Sequence, residues 1–190
     1  MRPNSLQRNE MKRTGCLIGN QVSLNFHTEK HRNSSLLSMS RYNMGYKEGE
    51  RTAITIFSAL SRNGDGIINE VIRIISHSMG GAFAKGYAQA LMDYIFEHPD
   101  LTNGASIVEY DFAPFEPWSQ RAVEGVDTYQ YSHSNDRIAF DTKIKGANYM
   151  KTKQTGNIVS SHFISSFIQY ISQLPEGKYK IENGKIKIIR

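Results

Sequence analysis

The sequence predicts an α/β domain in which a mostly parallel sheet carries helices on both faces. Short β-branched or alternating runs, which are typical of strands, occupy residues 71–75, 106–112 and 128–131. Between the first two lies a long stretch, residues 79–96, with apolar side chains at three- and four-residue steps. Connections of this length imply crossovers between parallel strands. The length of 190 residues favours one domain, 1–190.

The N-terminal region, residues 1–45, is polar and poorly patterned. Within it only residues 22–26 alternate in the manner of a short strand. The first predicted helix covers residues 50–62, with Ile54 and Phe57 near its apolar face. An Asn-Gly-Asp-Gly turn follows at residues 63–66 and ends that helix.

The turn at residues 63–66 resembles the middle of a calcium-binding loop. The bidentate acid of such a loop would fall at Ile72, whose side chain cannot coordinate a hard cation. We therefore expect a plain turn there.

The C-terminal half supplies the remaining elements. The helix of residues 79–96 ends at His98-Pro99, and a short helical stretch is expected around Gln120. Residues 162–173 predict a last helix with five apolar residues on one face. Residues 177–190 alternate around Asn-Gly, which predicts a β-hairpin.

Composition and charge exclude several classes of protein. No apolar stretch is long enough for a transmembrane segment, and no signal peptide is visible, so a cytoplasmic location is the default expectation. The net charge of +5 comes from basic residues near both ends, whereas the patterned middle is slightly acidic. This distribution argues against nucleic acid as a partner. The single Cys16 can form no internal disulfide bond.

The most informative segment joins the first strand to the long helix. It reads Ile75-Ser76-His77-Ser78-Met79-Gly80-Gly81-Ala82. A serine in a tight strand-to-helix turn is forced into an exposed, strained conformation, and small neighbours two residues away let the backbones approach. Such an element is a nucleophile elbow, for which the usual pattern is Gly-x-Ser-x-Gly. Here Ser76 replaces the first glycine.

This segment resembles the nucleophile elbow of α/β-hydrolases, and most closely the Gly-His-Ser-Leu-Gly-Gly-Ala pattern of the class 3 triacylglycerol lipases. The resemblance covers residues 50–172 and implies a reduced version of the α/β-hydrolase architecture. That family places its acid in an Asn-Asp-x-Val type segment after a later strand, and its histidine later still. Asn135-Asp136-Arg137-Ile138 matches the acid segment, and His162 follows.

The resemblance thus implies a catalytic triad of Ser78, Asp136 and His162. A serine hydroxyl is a weak nucleophile unless a neutral imidazole accepts its proton, and a carboxylate must orient that imidazole. Asp111, Asp127 and Asp141 are alternative acids. A capping residue at a helix start is the structural alternative for both Ser78 and His162.

Other residues could complete the site. The Met79 N–H, at the start of the long helix, would help to hold an oxyanion. A second donor is expected between residues 27 and 46, with residues 43–45 as a guess. His77 and Trp118 are candidate substrate-binding residues, and Phe112, Phe115 and Tyr129 could also line an acyl pocket or belong to the core. The scattered histidines argue against a metal site, and no cofactor is required.

We therefore expect a serine hydrolase of lipase or esterase type that cleaves a small-molecule or lipid ester through an acyl-enzyme on Ser78. The triad alone would equally suit a thioesterase, an amidase or an acyl transferase. One alternative is a catalytically incomplete interaction module, either on its own or as part of a larger protein. A basic binding module that uses both termini is a weaker alternative. The sequence leaves the oligomeric state unknown.

Overall fold

The computed structural model describes residues 36–139, 142–152, 157–174, 178–182 and 185–189. Its helices are α1 (Leu36–Ala59), α2 (Gly80–Glu97), α3 (Pro99–Thr102) and α4 (Ile168–Ile171). Its strands are β1 (Val71–His77), β2 (Ser106–Phe112), β3 (Asp127–His133), β4 (Asn148–Thr152), β5 (Lys178–Glu182) and β6 (Lys185–Ile189). The short strand expected at residues 22–26 and Cys16 lie outside the described residues.

Strands β1 to β4 form one sheet in sequential order, and every neighbouring pair is parallel. This arrangement confirms the predicted α/β fold with a parallel sheet. The predicted strands agree closely with β1, β2 and β3, whereas β4 is an addition. Its side chains are exposed or half-buried, so β4 lacks the apolar run by which a buried strand is recognised.

The two faces of the sheet have separate cores. On one face, Ile72, Ile74 and Ile107 pack against α2, behind which α1 lies. On the other face, Val108, Tyr110 and Phe112 pack with the C-terminal segment that includes Phe167 and Leu174. Alternation along each strand sends neighbouring side chains to opposite faces, so Ile107 and Val108 join different cores.

The predicted bounds of the first helix are wrong, because α1 begins at Leu36 rather than near residue 50. Most of its buried positions carry small or polar side chains, and Ile54 is exposed. The buried residues are Ser38, Tyr42, Gly45, Glu48, Gly49, Thr52, Ala53 and Phe57. They recur at helical spacing, but a search for apolar periodicity overlooks them. Residues 36–45, assigned to a poorly patterned region, are therefore helical.

The predicted helix at residues 162–173 is also not a single helix. Two 3₁₀ turns, Ser160–His162 and Ile164–Phe167, precede the short α4, and Phe163 between them is extended. Of the apolar face that was expected, only Phe167 is buried; Phe163, Ile164 and Ile168 are exposed. The apolar side chains were correctly identified, but they do not share one buried stripe.

The turn after the first helix follows the expected local chemistry. At residues 63–66 the Asn63 side chain accepts hydrogen bonds from the N–H groups of Asp65 and Ile67, which is the geometry of a plain Asx turn. A 3₁₀ turn, Pro117–Ser119, stands where a short helix was expected. Strands β5 and β6 pair antiparallel, with Lys178 opposite Ile189. In the part of the chain that the structure describes, no helix has the length and apolarity that crossing a bilayer requires.

Close packing of α1 on α2 depends on Gly49. A Cβ atom built at Gly49 would lie 2.6 Å from the Ala90 Cβ and 3.1 Å from the Tyr87 carbonyl oxygen. Real Cβ atoms do not approach other atoms this closely, so any side chain here would push the two helices apart.

We predict that Gly49→Ala destabilises the protein, although alanine is the better helix former by about 1 kcal/mol. Overpacking costs roughly 1–3 kcal/mol, so after the gain in helix propensity the free energy of unfolding should fall by up to about 2 kcal/mol. Chemical denaturation measures it. Gly64→Ala is the control, because a Cβ at Gly64 would meet nothing within 4 Å. Equal stability of the two variants would contradict the proposed close contact.

Candidate functional site

The candidate site lies where the carboxyl ends of β1, β2 and β3 meet. The strands are parallel, so their following loops emerge at the same edge of the sheet. Ser78 follows β1 directly, and Asp136 stands three residues beyond the end of β3. The segment that carries His162 reaches the same edge from the C-terminal part of the chain, as its contacts with Ser78 and Asp136 show.

Ser78 occupies a strained turn between β1 and α2. Its φ angle is 54°, in the left-handed region that non-glycine residues rarely adopt. Three backbone hydrogen bonds hold this conformation. The Ser78 N–H donates to the Phe112 carbonyl at 3.1 Å, while the Ser78 carbonyl accepts from the N–H groups of Gly81 at 3.1 Å and Phe115 at 3.0 Å. The tight turn that the sequence predicts here is therefore present. Its bonds with Phe112 and Phe115 attach it to the end of β2 and the residues that follow.

Small residues around the turn allow the start of α2 to lie close to the loop that follows β2. A Cβ at Gly81 would lie 3.1 Å from the Pro114 Cβ and 3.3 Å from the Gln120 side-chain oxygen. Ser76, which stands where the usual pattern has glycine, is almost completely buried. Its hydroxyl donates a hydrogen bond to the Asp111 carboxylate, so the added polar group is satisfied.

A buried charge cluster lies behind the turn. It consists of Lys85 on α2 with Glu109 and Asp111 on β2, all fully buried, and Lys85 forms ion pairs with both carboxylates. Burial alone would lower the pKa of Lys85, but the two carboxylates outweigh it and raise the pKa. Burial, with a further contribution from Asp111, raises the pKa of Glu109 to about 8. Glu109 therefore holds its proton to a higher pH than an exposed glutamate does.

The alternative acids of the sequence analysis are placed elsewhere. Asp111 is engaged by Ser76 and Lys85, as described above. Asp127 begins β3 and so lies at the amino edge of the sheet, opposite the site. Asp141 lies outside the described residues.

Ser78, His162 and Asp136 form a continuous hydrogen-bonded chain. The His162 Nε2 lies 2.9 Å from the Ser78 Oγ, and the His162 Nδ1 lies 2.9 Å from the Asp136 Oδ2. If the Nδ1–H donates to the carboxylate, the Nε2 lone pair is free to accept the serine proton. His162 and Asp136 are both buried, which shields these two hydrogen bonds from water.

Asp136 is held in its ionised form. Burial by itself would raise its pKa, but the hydrogen bond from His162 and those from the N–H groups of Ala139 and Ile138 lower it below the ordinary value. The two backbone bonds reach Asp136 Oδ1 at 3.1 and 2.8 Å and leave Oδ2 for the imidazole. The carboxylate therefore has a fixed orientation toward His162.

The remaining predicted site residues are Met79, His77 and Trp118. Met79 caps α2 and is partly exposed, and among the described hydrogen bonds its N–H has no acceptor. The Nε2–H of His77 donates to the His162 carbonyl at 2.7 Å. Trp118 is about half exposed in the 3₁₀ turn after β2. Contacts of His77 or Trp118 with a substrate stay a prediction.

The guess for a second oxyanion donor at residues 43–45 is wrong. These residues lie inside α1, where backbone N–H groups are used by the helix itself. Phe112 belongs to the core, the second of the two roles considered for it, because it is fully buried between Tyr131 and Phe167 rather than lining an open pocket. No three metal-binding side chains gather in one place among the described residues.

The buried charge cluster and the hydrogen-bond partner of His133 escaped sequence reasoning. Glu109 and Asp111 alternate on one strand, and Lys85 interrupts a small, apolar helix face; together these could have indicated the buried cluster. His133 is fully buried, stacks on Phe167 at 4.1 Å, and its Nε2 lies 3.0 Å from the Ser166 Oγ. Nothing in the sequence near His133 indicates a contact with Ser166.

No protein-family model matches this sequence, and no similar curated protein was found.

We predict that the strain at Ser78 is measurable as stability. Ser78→Gly and Ser78→Ala both remove the hydroxyl, but only glycine adopts a positive φ without steric cost. The glycine variant should be more stable than the alanine variant by about 1 kcal/mol, measured by chemical denaturation. A less stable glycine variant would contradict a strained turn.

We also predict that Glu109 makes stability depend on pH. Its pKa in the folded protein, about 8, lies above the ordinary value of 4.5, so the folded state binds the proton more tightly. The free energy of unfolding should therefore fall as the pH rises from about 4.5 to 8. Glu109→Gln should flatten this dependence in pH-dependent denaturation curves. An unchanged slope would show that Glu109 is ionised throughout this range.

Proposed function

We propose that this protein is a serine hydrolase of lipase or esterase type that cleaves carboxylic esters through an acyl-enzyme on Ser78. The observation that carries the proposal is the chain from Asp136 through His162 to Ser78, with 2.9 Å at each step. The elbow geometry supports it independently, because the positive φ of Ser78 presents the hydroxyl at the start of α2.

The first half of the reaction forms the acyl-enzyme. The Ser78 Oγ attacks the ester carbonyl carbon while His162 Nε2 takes the hydroxyl proton, and Asp136 stabilises the imidazolium. The Met79 N–H and the N-terminus of α2 favour the negative charge on the tetrahedral oxygen. His162 then returns the proton to the leaving alkoxide. The alcohol departs, and Ser78 carries the acyl group.

The second half regenerates the enzyme. His162 takes a proton from water, whose oxygen attacks the acyl carbon, and a second tetrahedral oxyanion forms in the same place. Collapse of this intermediate breaks the bond to Ser78 Oγ, which regains its proton from His162. Each proton transfer uses groups of the protein and the attacking water.

The resemblance to α/β-hydrolases, and to class 3 lipases in particular, supports an ester as the substrate. The all-parallel sheet with the serine at the end of a strand fits a reduced form of that architecture. The partly exposed Met79 and Trp118 are apolar and fit a substrate with an acyl chain, either a small-molecule ester or a lipid ester.

One observation favours the alternative, a catalytically incomplete module of this fold that binds a partner. Residues 36–46 form part of a helix, so they do not supply the loop from which a second oxyanion donor was expected. A module of this kind would keep the fold and lack turnover.

We predict that a fluorophosphonate probe labels the protein at neutral pH and that Ser78→Ala abolishes the labelling. Ser172→Ala is the matched control, since its hydroxyl is exposed and donates to the Gln169 carbonyl in its own turn. His162→Ala and Asp136→Asn should each lower hydrolysis of a short-chain aryl ester by roughly 10⁴-fold with the fold intact. Labelling is read by gel fluorescence and folding by circular dichroism.

Three results would decide against the proposal. An unlabelled natural protein would favour the incomplete module. Labelling that survives Ser78→Ala would place the nucleophile elsewhere. Full activity of Asp136→Asn would move the role of the acid to another carboxylate.

A further inference from the structure

The segment that carries His162 has little regular structure of its own. Residues 157–167 consist of two 3₁₀ turns separated by the extended Phe163. Several of its side chains, among them Val159, Phe163 and Ile164, are exposed and contribute little to the core. An imidazole must nevertheless be held within about 0.5 Å of its productive position to act as a base. Contacts with other elements must supply this precision.

The first such contact comes from His77. Its Nε2–H donates to the backbone carbonyl of His162 at 2.7 Å, and the two rings lie 5.3 Å apart. A carbonyl can only accept, so the proton on His77 Nε2 is fixed by this bond. His77 directly precedes Ser78, and the same turn therefore holds both the serine and the backbone of the histidine that faces it.

The charge state of His77 suits this position. Burial lowers its pKa, and the neighbouring His162 lowers it further, while the backbone bond opposes the shift. At neutral pH His77 is a neutral donor. It adds no positive charge beside an imidazole that becomes cationic during the proposed reaction.

The second contact holds the far end of the segment. His133, at the end of β3, lies with its Nε2 3.0 Å from the Ser166 Oγ, and its Nδ1 contacts the Thr152 hydroxyl on β4. The Ser166 hydroxyl in turn donates to the Phe163 carbonyl at 2.7 Å. The residues between His162 and Ser166 are therefore anchored at both ends.

We propose that His77 and His133 are positioning residues, which fix the backbone of the segment bearing His162 to the nucleophile turn and to the sheet. The effect of these two residues on catalysis rests on the proposed hydrolase function, whereas their effect on the position of the backbone does not.

The test compares His77→Phe, which keeps a planar ring without a donor, with His77→Gln, which keeps an N–H donor. His98→Phe is the matched control. His98 is also half-buried and lies 3.2 Å from a backbone carbonyl, that of Tyr94, but it stands at the opposite end of α2 from the elbow. Two quantities are measured in parallel, the rate of fluorophosphonate labelling at Ser78 and amide hydrogen exchange in peptides covering residues 157–167.

His77→Phe should slow labelling by roughly 10- to 100-fold, since a displacement of about 1 Å at a reacting group costs this much. In this variant the backbone amides of residues 161–163, which donate hydrogen bonds to carbonyls of the same segment, should exchange their hydrogens with solvent faster. His77→Gln should recover most of both properties, and His98→Phe should change neither. Ser166→Ala should reproduce both effects more weakly, because it removes the second anchor without altering a buried ring.

The outcomes separate the two proposals. If the natural protein is not labelled, the hydrolase function fails, and hydrogen exchange alone still decides whether His77 holds the segment. If the natural protein is labelled but His77→Phe is labelled as fast, the positioning role is overturned. Slower labelling with unchanged exchange would also overturn it, because His77 would then act directly on the reacting groups.

Discussion

The candidate site depends on the hydrogen bonds that tie the turn at Ser78 to the end of β2. A positive φ costs free energy, and an isolated strand-to-helix turn would relax from it. The Phe112 carbonyl and the Phe115 N–H supply the bonds that prevent this relaxation. The conformation of the proposed nucleophile is thus imposed by the neighbouring strand, and correct pairing of β1 with β2 is a precondition for the site.

The side chain at position 76 of this turn accounts for the charged groups that are buried behind it. A serine in place of the usual glycine at position 76 requires an acceptor, which Asp111 provides. A buried carboxylate requires a cation, which Lys85 provides from α2. The serine at position 76 is therefore linked to an ion pair that joins α2 to the sheet. Asp111 accepts a hydrogen bond from Ser76 and forms the ion pair with Lys85.

Sequence reasoning succeeded where chemistry is local and failed where packing decides. Strands β1 to β3 and helix α2 have strong apolar patterns. The resemblance to α/β-hydrolases, rather than any local pattern, pointed to Ser78, Asp136 and His162, which the structure brings into contact. Helix α1 was only partly recognised because glycine, serine and threonine line its buried face, and such residues matter only once α2 is beside them. The contact of His77 with a backbone carbonyl depends on a fold-level approach of segments 85 residues apart.

The segment at residues 157–167, which has little regular structure, implies that the proposed activity can be lost while the fold remains. Regions held by a few polar anchors open at a smaller free-energy cost than a sheet with apolar cores on both faces. On mild heating, inactivation would then precede the cooperative melting of β1 to β4. Recovery on cooling would require only that residues 157–167 form their contacts again, which is a smaller rearrangement than folding of the whole chain.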